Sequence, residues 1–366
     1  MTRKIIYIAL ISLLAACDRF EATNDYHIGL KAGVGEIGTV SKSTAIADPY
    51  EGTTPTSGKP LAAEVWFSRS ATSFPALIED EATNLPSHTT MTFNSEAATY
   101  AYFDKNKNGS SEPGEEIKYP TDATNVYCVG FHPATDGVHP ANGWSTTDGV
   151  HVSHPINGSE DLMFADVISG TWDSHFQPQE YKHLLTWVKV NVCAMTMETA
   201  KQWGKVTKIT ISSKSSVNID LSKAKGHSEK ITYGGDDQTL VIYDDPTGTE
   251  LSLTSQVLGS VFCSPMRVSV PVVGNDGKQT GENKTLAGYT VSITTKPEGS
   301  TEITTTINVG LSDLDYNDVR DPGATVGKLY ILSLYFNPFN IIEGTCTLNY
   351  WNGQNDDLYL TPPAQS

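Results

Sequence analysis

The chain has 366 residues, with 42 acidic against 25 basic side chains and a formal net charge of -17 at pH 7. So acidic a surface argues against nucleic acid and anionic lipid headgroups as partners. Five cysteines without a C-x-x-C pair make a poor zinc framework, and the length has room for two ordinary domains.

Arg3 and Lys4 open the chain as a short basic region, and Ile5 to Leu14 follow as an apolar run of ten residues. A bilayer span needs roughly 20, so residues 1–16 read as a signal peptide. The closing Leu14-Ala15-Ala16-Cys17 resembles the lipobox of bacterial lipoproteins, in which the peptide is cut before the cysteine and its thiol carries diacylglycerol. Cys17 is then the lipid-anchored mature N-terminus; an ordinary secretory signal is the other reading. Residues 17–60 are rich in Thr, Ser, Gly and Pro, and only "YHIGLKAGV" at 26–34 has the alternation of a strand. A tether, one isolated strand and a loose linker make an odd start for a globular protein.

From about residue 60 onward, short β-branched and aromatic runs alternate with Gly, Asn, Asp, Pro and Ser clusters, the pattern of an all-β sandwich or barrel. A first β-domain is placed at 61–175. Within it, "DKNKNGSSEPGE" at 104–115 fits a calcium loop at each defined position. Asp104, Asn106 and Asn108 supply oxygens, Gly109 the turn, Ser110 a carbonyl and Glu115 a bidentate carboxylate. The flanking "TYAYF" and "EIKYP" read as strands rather than helices, so a polar hairpin loop is the competing reading. Next, "DGVHPANGW" and "DGVHVSHP" repeat Asp-Gly-Val-His, with His132, His139, His151 and His154 close by. Zinc or nickel is one reading. His151 and His154, three apart in a strand, face opposite ways, which favours two turns of similar build. Trp144 and Trp172 lie in polar segments, where they either stack on sugars or are buried.

The polar, Gly- and Pro-bearing "SGTWDSHFQPQ" marks a boundary near residues 170–180, and a second β-domain is placed at 176–366. "TWVKVNVC" puts Val188, Val190 and Val192 on one face and Trp187, Lys189 and Asn191 on the other. "TMETAKQWG" is the one persuasive helix, capped by Thr196, with Glu198 in its first turn and Gly204 after its end. "VNIDL" repeats the strand alternation, and "KLYILSLYF" is apolar on both faces, as a central strand is. "DLDYNDVRD" at 313–321 reads as a solvated acidic loop, since glycosidase chemistry needs two acids held across a cleft. Cys128, Cys193, Cys263 and Cys346 lie in or beside apolar runs, where disulfides and buried thiols are both open. No G-x-S-x-G, H-E-x-x-H or phosphate loop occurs, and no enzyme is expected.

Five features together resemble a known family: the lipobox, "PYEGTTPTSGKPLAAEVWFS" at 49–68, "DLMFADV" at 161–167, "HLLTWVKVNV" at 183–192 and "GKLYILSLYFNPFNIIEGTCTLNYWNG" at 327–353. Their order looks like that of Bacteroides-type, Mfa-like fimbrillins, the subunits of type V pili. The resemblance implies two tandem transthyretin-like β-sandwich domains with Greek-key-type connections, exported as a lipoprotein to the outer membrane and the cell-surface fimbrium. It also implies that a protease removes the first strand and that a neighbouring subunit fills the groove, commonly with its C-terminal end. No cofactor is required beyond the diacylglycerol at Cys17, with Ca2+ as the open question at 104–115.

One departure concerns processing. The best-known members are cut at arginine, yet no arginine lies between Arg19 and Arg69; Lys31, Lys42 and Lys59 are the candidates, with Lys42 in the most accessible-looking context. An uncleaved member suits an anchor or tip better than a stalk. At the C-terminus, Asp357 to Thr361 has the pattern of a short donor strand, limited by Pro362 and Pro363, so the "IEGTCTLNYW" strand is needed as well. Two functions follow: a pilus subunit that partners other subunits by strand exchange, or a non-polymerising tip adhesin, anchor or glycan-binding lipoprotein that recognises host glycan or protein.

Overall fold

The structure is a computed structural model. It describes residues 27–34, 55, 60–72, 74, 88–95, 97–103, 112–134, 143–223, 230–273, 279–310, 326–338 and 342–349. In chain order its strands are β1 (Gly29–Leu30), β2 (Ala32–Val34), β3 (Leu61–Ser68), β4 (His88–Phe93), β5 (Thr99–Tyr100), β6 (Val126–His132), β7 (Ser145–Thr146), β8 (His151–Pro155), β9 (Met163–Gly170), β10 (Gln179–His183) and β11 (Thr186–Ala194). After the helix α1 (Met197–Trp203) come β12 (Lys205–Asp220), β13 (Ile231–Glu250), β14 (Gln256–Cys263), β15 (Arg267–Val273), β16 (Gln279–Lys296), β17 (Ile303–Gly310), β18 (Leu329–Phe336) and β19 (Ile342–Asn349).

The expected all-β sandwich architecture is what the strands build. A six-stranded sheet has the order β2-β10-β9-β6-β3-β4, a four-stranded sheet β14-β11-β18-β19 and a seven-stranded sheet β15-β16-β12-β8-β7, with β13 on β12 and β17 on β16. The four- and seven-stranded sheets face each other across one core, where Val188, Val190, Leu332 and Leu334 meet Ile209, Ile211, Val291 and Ile293. The central strand expected from "KLYILSLYF" is β18, which lies parallel to β11 and antiparallel to β19.

The six-stranded sheet serves two cores at once. On β3, Leu61, Ala63, Val65 and Phe67 enter a smaller core, while Trp66 enters the larger one. On β6 and β9, Cys128 and Ala165 face the smaller core, and Val129, Phe131 and Phe164 the larger. The period of two that sends neighbouring side chains to opposite faces is the cause.

Pairing crosses the boundary placed at 175 in both directions. β10, beyond it, hydrogen-bonds to β9 and completes the first sheet, whereas β8, before it, pairs with β12 of the seven-stranded sheet. The polar stretch near residues 170–180 connects β9 to β10, two neighbouring antiparallel strands. The helix forms where expected. Thr196 Oγ1 accepts from the Thr199 amide at 3.0 Å, and Gly204 closes the last turn at φ 73. The described cysteines, Cys128, Cys193, Cys263 and Cys346, are all buried free thiols.

Candidate strand-acceptor groove

The short strand at 26–34 is built into the smaller core. Its alternation of large and small residues decides how: Ile28 and Leu30 are 0% exposed and Ala32 is 7% exposed, while Lys31 points to solvent. Gly29 lets the backbone run close to its neighbour, since an added Cβ would sit 3.2 Å from that of Ala98. Leu61, Val65, Phe93, Ile117, Tyr119 and Tyr181 form the groove in which the segment lies.

Backbone bonds hold the segment on both sides. β1 runs antiparallel to β5, with Gly29 opposite Tyr100 and Leu30 opposite Thr99. The Ile28 amide donates to Ile117 O at 2.8 Å, and the Ala101 amide donates to Ile28 O at 2.9 Å. Just beyond β1, the Gln179 amide donates to Lys31 O at 2.8 Å, and β2 continues parallel to β10. β2 is thus the edge of an otherwise antiparallel sheet and its one parallel member. In the sheet order, three strands separate it from β3, the next described strand along the chain. The segment stitches the two-stranded and six-stranded sheets together, and it precedes every other described strand.

The remaining sequence candidates distribute as follows. Among the lysines, Lys31 is exposed at its side chain and bonded at its carbonyl; Cys17, Lys42 and Lys59 lie outside the described residues. So do Asp104, Asn106, Asn108 and Ser110 of the loop, together with 313–321 and 357–361. Glu115 is described: it is buried, and its carboxylate accepts from the Glu112 amide at 3.1 Å. The Phe103 amide donates to Glu115 O at 2.9 Å, and Tyr102 bridges Glu116 in antiparallel fashion, so paired extended chain flanks this loop.

The histidines do not converge. His132 Nδ1 lies 2.6 Å from Ala62 O, and burial pushes its pKa down. His139 lies outside the described residues. His151 is exposed, with Nδ1 2.6 Å from Asp148 Oδ2, and the hydrogen bond with Asp148 raises its pKa. His154 is buried against the ring of Trp144 at 4.7 Å, and desolvation lowers its pKa. Among the described residues, no group of three or more His, Cys, Asp or Glu side chains is arranged to hold a metal ion. Trp144 is buried between the tilted rings of Phe131 and His154, with its indole N–H donated to Pro133 O at 3.2 Å, and offers no open face to a sugar. Trp172 is half-buried against the smaller core.

Two contacts escaped the sequence reading, one fully buried and one partly buried. His183 Nδ1 meets Asp161 Oδ1 at 2.7 Å, both side chains 1% exposed. Lys230 Nζ donates to Asp166 Oδ1 at 2.7 Å and links β9 to the start of β13. His183 opens the "HLL" motif quoted above, but nothing in the sequence named its acidic partner.

No protein-family model and no curated protein matches the chain. Among solved structures it is similar to a Bacteroides uniformis protein provisionally named a cell adhesion protein, at 13% identity and a TM-score of 0.44, covering 89% of this chain and 100% of the other. A Bacteroides ovatus protein with the same provisional name gives 12% identity and a TM-score of 0.43, over 89% and 97% of the two chains. A fimbrial protein from Bacteroides vulgatus gives 12% and 0.34, over 88% and 99%. These neighbours are of the kind to which the sequence resemblance points, and at such identities and TM-scores they assign neither family membership nor activity.

Proposed function

We propose that the chain is a fimbrillin-like lipoprotein subunit of a cell-surface pilus, in which segment 27–34 fills a groove that a strand of a neighbouring subunit takes over after proteolysis. The observation that carries this reading is the position of the segment: the first described strand, buried at alternate residues, paired on both sides and ahead of β3 in the chain. A cut between β2 and β3 severs it without touching any other described strand. Strand addition of this kind draws affinity from main-chain bonds and register from alternate side chains. The adhesion and fimbrial names of the structural neighbours agree with it.

Lys42 and Lys59 are the processing sites in this reading, because both fall between β2 and β3 in the sequence. Lys31 is withdrawn from a protease by its carbonyl bond to Gln179. A second reading, a non-polymerising anchor or tip adhesin of the same fold, is favoured by the absence of arginine between Arg19 and Arg69. Limited trypsin treatment of the lipid-free chain, followed by intact mass and size analysis, separates the two. A cut between residues 35 and 60 followed by an oligomer ladder supports the pilus subunit; a trimmed chain that stays monomeric overturns it in favour of the anchor or tip.

A further inference from the structure

Lateral register sets two histidines in one row at the end of the six-stranded sheet. His132 of β6 and His183 of β10 both lie opposite Met163 of β9, and Met163 belongs to the smaller core. Directly opposed residues share a face, so both imidazoles lie on the side of that core, His183 fully buried and His132 partly so. Asp161, two residues before Met163, is as buried as His183 and accepts from its Nδ1 at 2.7 Å. His132 Nδ1 lies 2.6 Å from Ala62 O of β3. Burial weighs against a proton on His132, the charge of Asp161 favours one and His183 opposes one. The charged groups on the neighbouring strands are turned the other way: Glu64 of β3 accepts from Trp66 Nε1, and Glu180 and Lys182, at the exposed alternate positions of β10, pair with each other. Charge counting follows. A first proton on the two imidazoles is balanced by Asp161, whereas a second exceeds the one negative charge the trio holds, which is costly where water is scarce.

We propose that His132, Asp161 and His183 form an acid-sensitive latch on β10, and that a second proton on the trio loosens the strand that holds segment 27–34. β10 is 5 residues long. Its first three, Gln179 to Tyr181, carry β2, and its last three, Tyr181 to His183, hold it to β9. The trio fastens the end of β10 that the segment leaves free, and the Leu184 amide, donated to Leu162 O at 2.7 Å, closes the same end. Lifting β10 from β9 parts His183 from Asp161 and lets water reach His132. The closed row then holds fewer protons than the opened one. Its contribution is complete above the ordinary histidine value of about 6.5 and is lost as pH falls below it, levelling off beneath the depressed value of His132. One site with that ordinary value when open favours opening by at most about 30-fold at pH 5. The latch rests on the proposed function only for the identity of the strand that leaves. It is read in the uncut monomer, so its failure and the failure of strand exchange are separate results.

The test is native-state hydrogen exchange on the lipid-free, uncut chain at about pH 7.5 and about pH 5, with protection corrected for the intrinsic pH dependence of exchange. The reporters are the Leu184 amide at the latch and the Gln179 amide, donated to Lys31 O, at the segment. The expected result is a loss of about 5- to 30-fold in protection at both amides in acid, with β12 and β18 unchanged. His132→Asn, which keeps a donor for Ala62 O and has no titrating group, loses less than about twofold. Full protection at pH 5, a loss at Leu184 without one at Gln179, or an equal loss in the variant overturns the proposal. Should His132→Asn not fold, the imidazole resonances of His132 in the parent decide: alongside the two amide losses, a titration midpoint below about 6.5 upholds the latch, and one at or above it rejects it.

Discussion

Replacing Leu30 with alanine probes the groove at a fully buried contact. Leu30 is 0% exposed, and its neighbours in the smaller core include Tyr181 and Ile117. A buried Leu→Ala change costs about 2–5 kcal/mol, less where the surroundings can collapse into the space. At a sheet edge flanked by Gly29 and Gly33 some collapse is available, which puts the loss at about 2–4 kcal/mol. If the segment opens as a local unit, that loss falls on its opening equilibrium, a change of about 30- to 1,000-fold. The reporters are the amides that the segment protects, Ala101 bonded to Ile28 O and Gln179 bonded to Lys31 O. Native-state hydrogen exchange at these two amides accelerates by that factor in Leu30→Ala, while amides of β11 and β18 keep their rates. Equal acceleration throughout the chain, or none at Ala101 and Gln179, refutes an independently opening segment. Lys31→Ala, which removes an exposed side chain and leaves the carbonyl in place, changes neither rate appreciably.

Gly130→Ala drives a methyl group into the ring of Tyr181, a wall of the groove, and lowers global stability by about 1–3 kcal/mol in a denaturant titration; an unchanged midpoint contradicts the packing described. Burial pushes the Cys263 thiol up to about 12, so in the folded chain it resists alkylation at pH 9 and reacts once guanidinium unfolds the protein. The exposed His151–Asp148 pair gives a pH signature. The pKa of His151 is raised by its bond with Asp148, so its stabilisation is complete below the free histidine value and disappears as pH rises through the raised one. That of Asp148 is lowered, chiefly by the same bond, so its share is complete above the free aspartate value and disappears as pH falls through the depressed one. Thermal melts of His151→Ala therefore differ from the parent most between these limits and converge in alkali; a constant difference across pH removes the ion pair from the account.

Sequence legibility followed the range of each interaction. The helix was readable because its signals are local: a threonine cap, an early glutamate and a closing glycine. The faces of β11 were readable because the alternation of valine with other residues is a property of the strand itself, and β18 was readable as a central strand because it is apolar on both faces. Partners were not. That β8 joins β12 across 61 to 69 positions, that β11 runs parallel to β18, and that β10 returns to the first sheet are choices among many edges with similar patterns. The site divided in the same way. "YHIGLKAGV" announced a strand, while its two-sided seating between β5 and β10 depends on residues roughly 70 and 150 positions away. The opposite facing of His151 and His154 was legible in their spacing of three within a strand, and His151 is exposed while His154 is buried.

The double duty of the six-stranded sheet bears on what happens when the groove is empty. A wall with apolar side chains on one side only collapses or swells once its cover is lifted. This wall is braced from behind, because Trp66, Val129, Phe131 and Phe164 remain wedged into the larger core whatever becomes of Ile28 and Leu30. In the proposed exchange the vacated cleft would keep its shape, and the scaffold that holds it open is the larger core behind it.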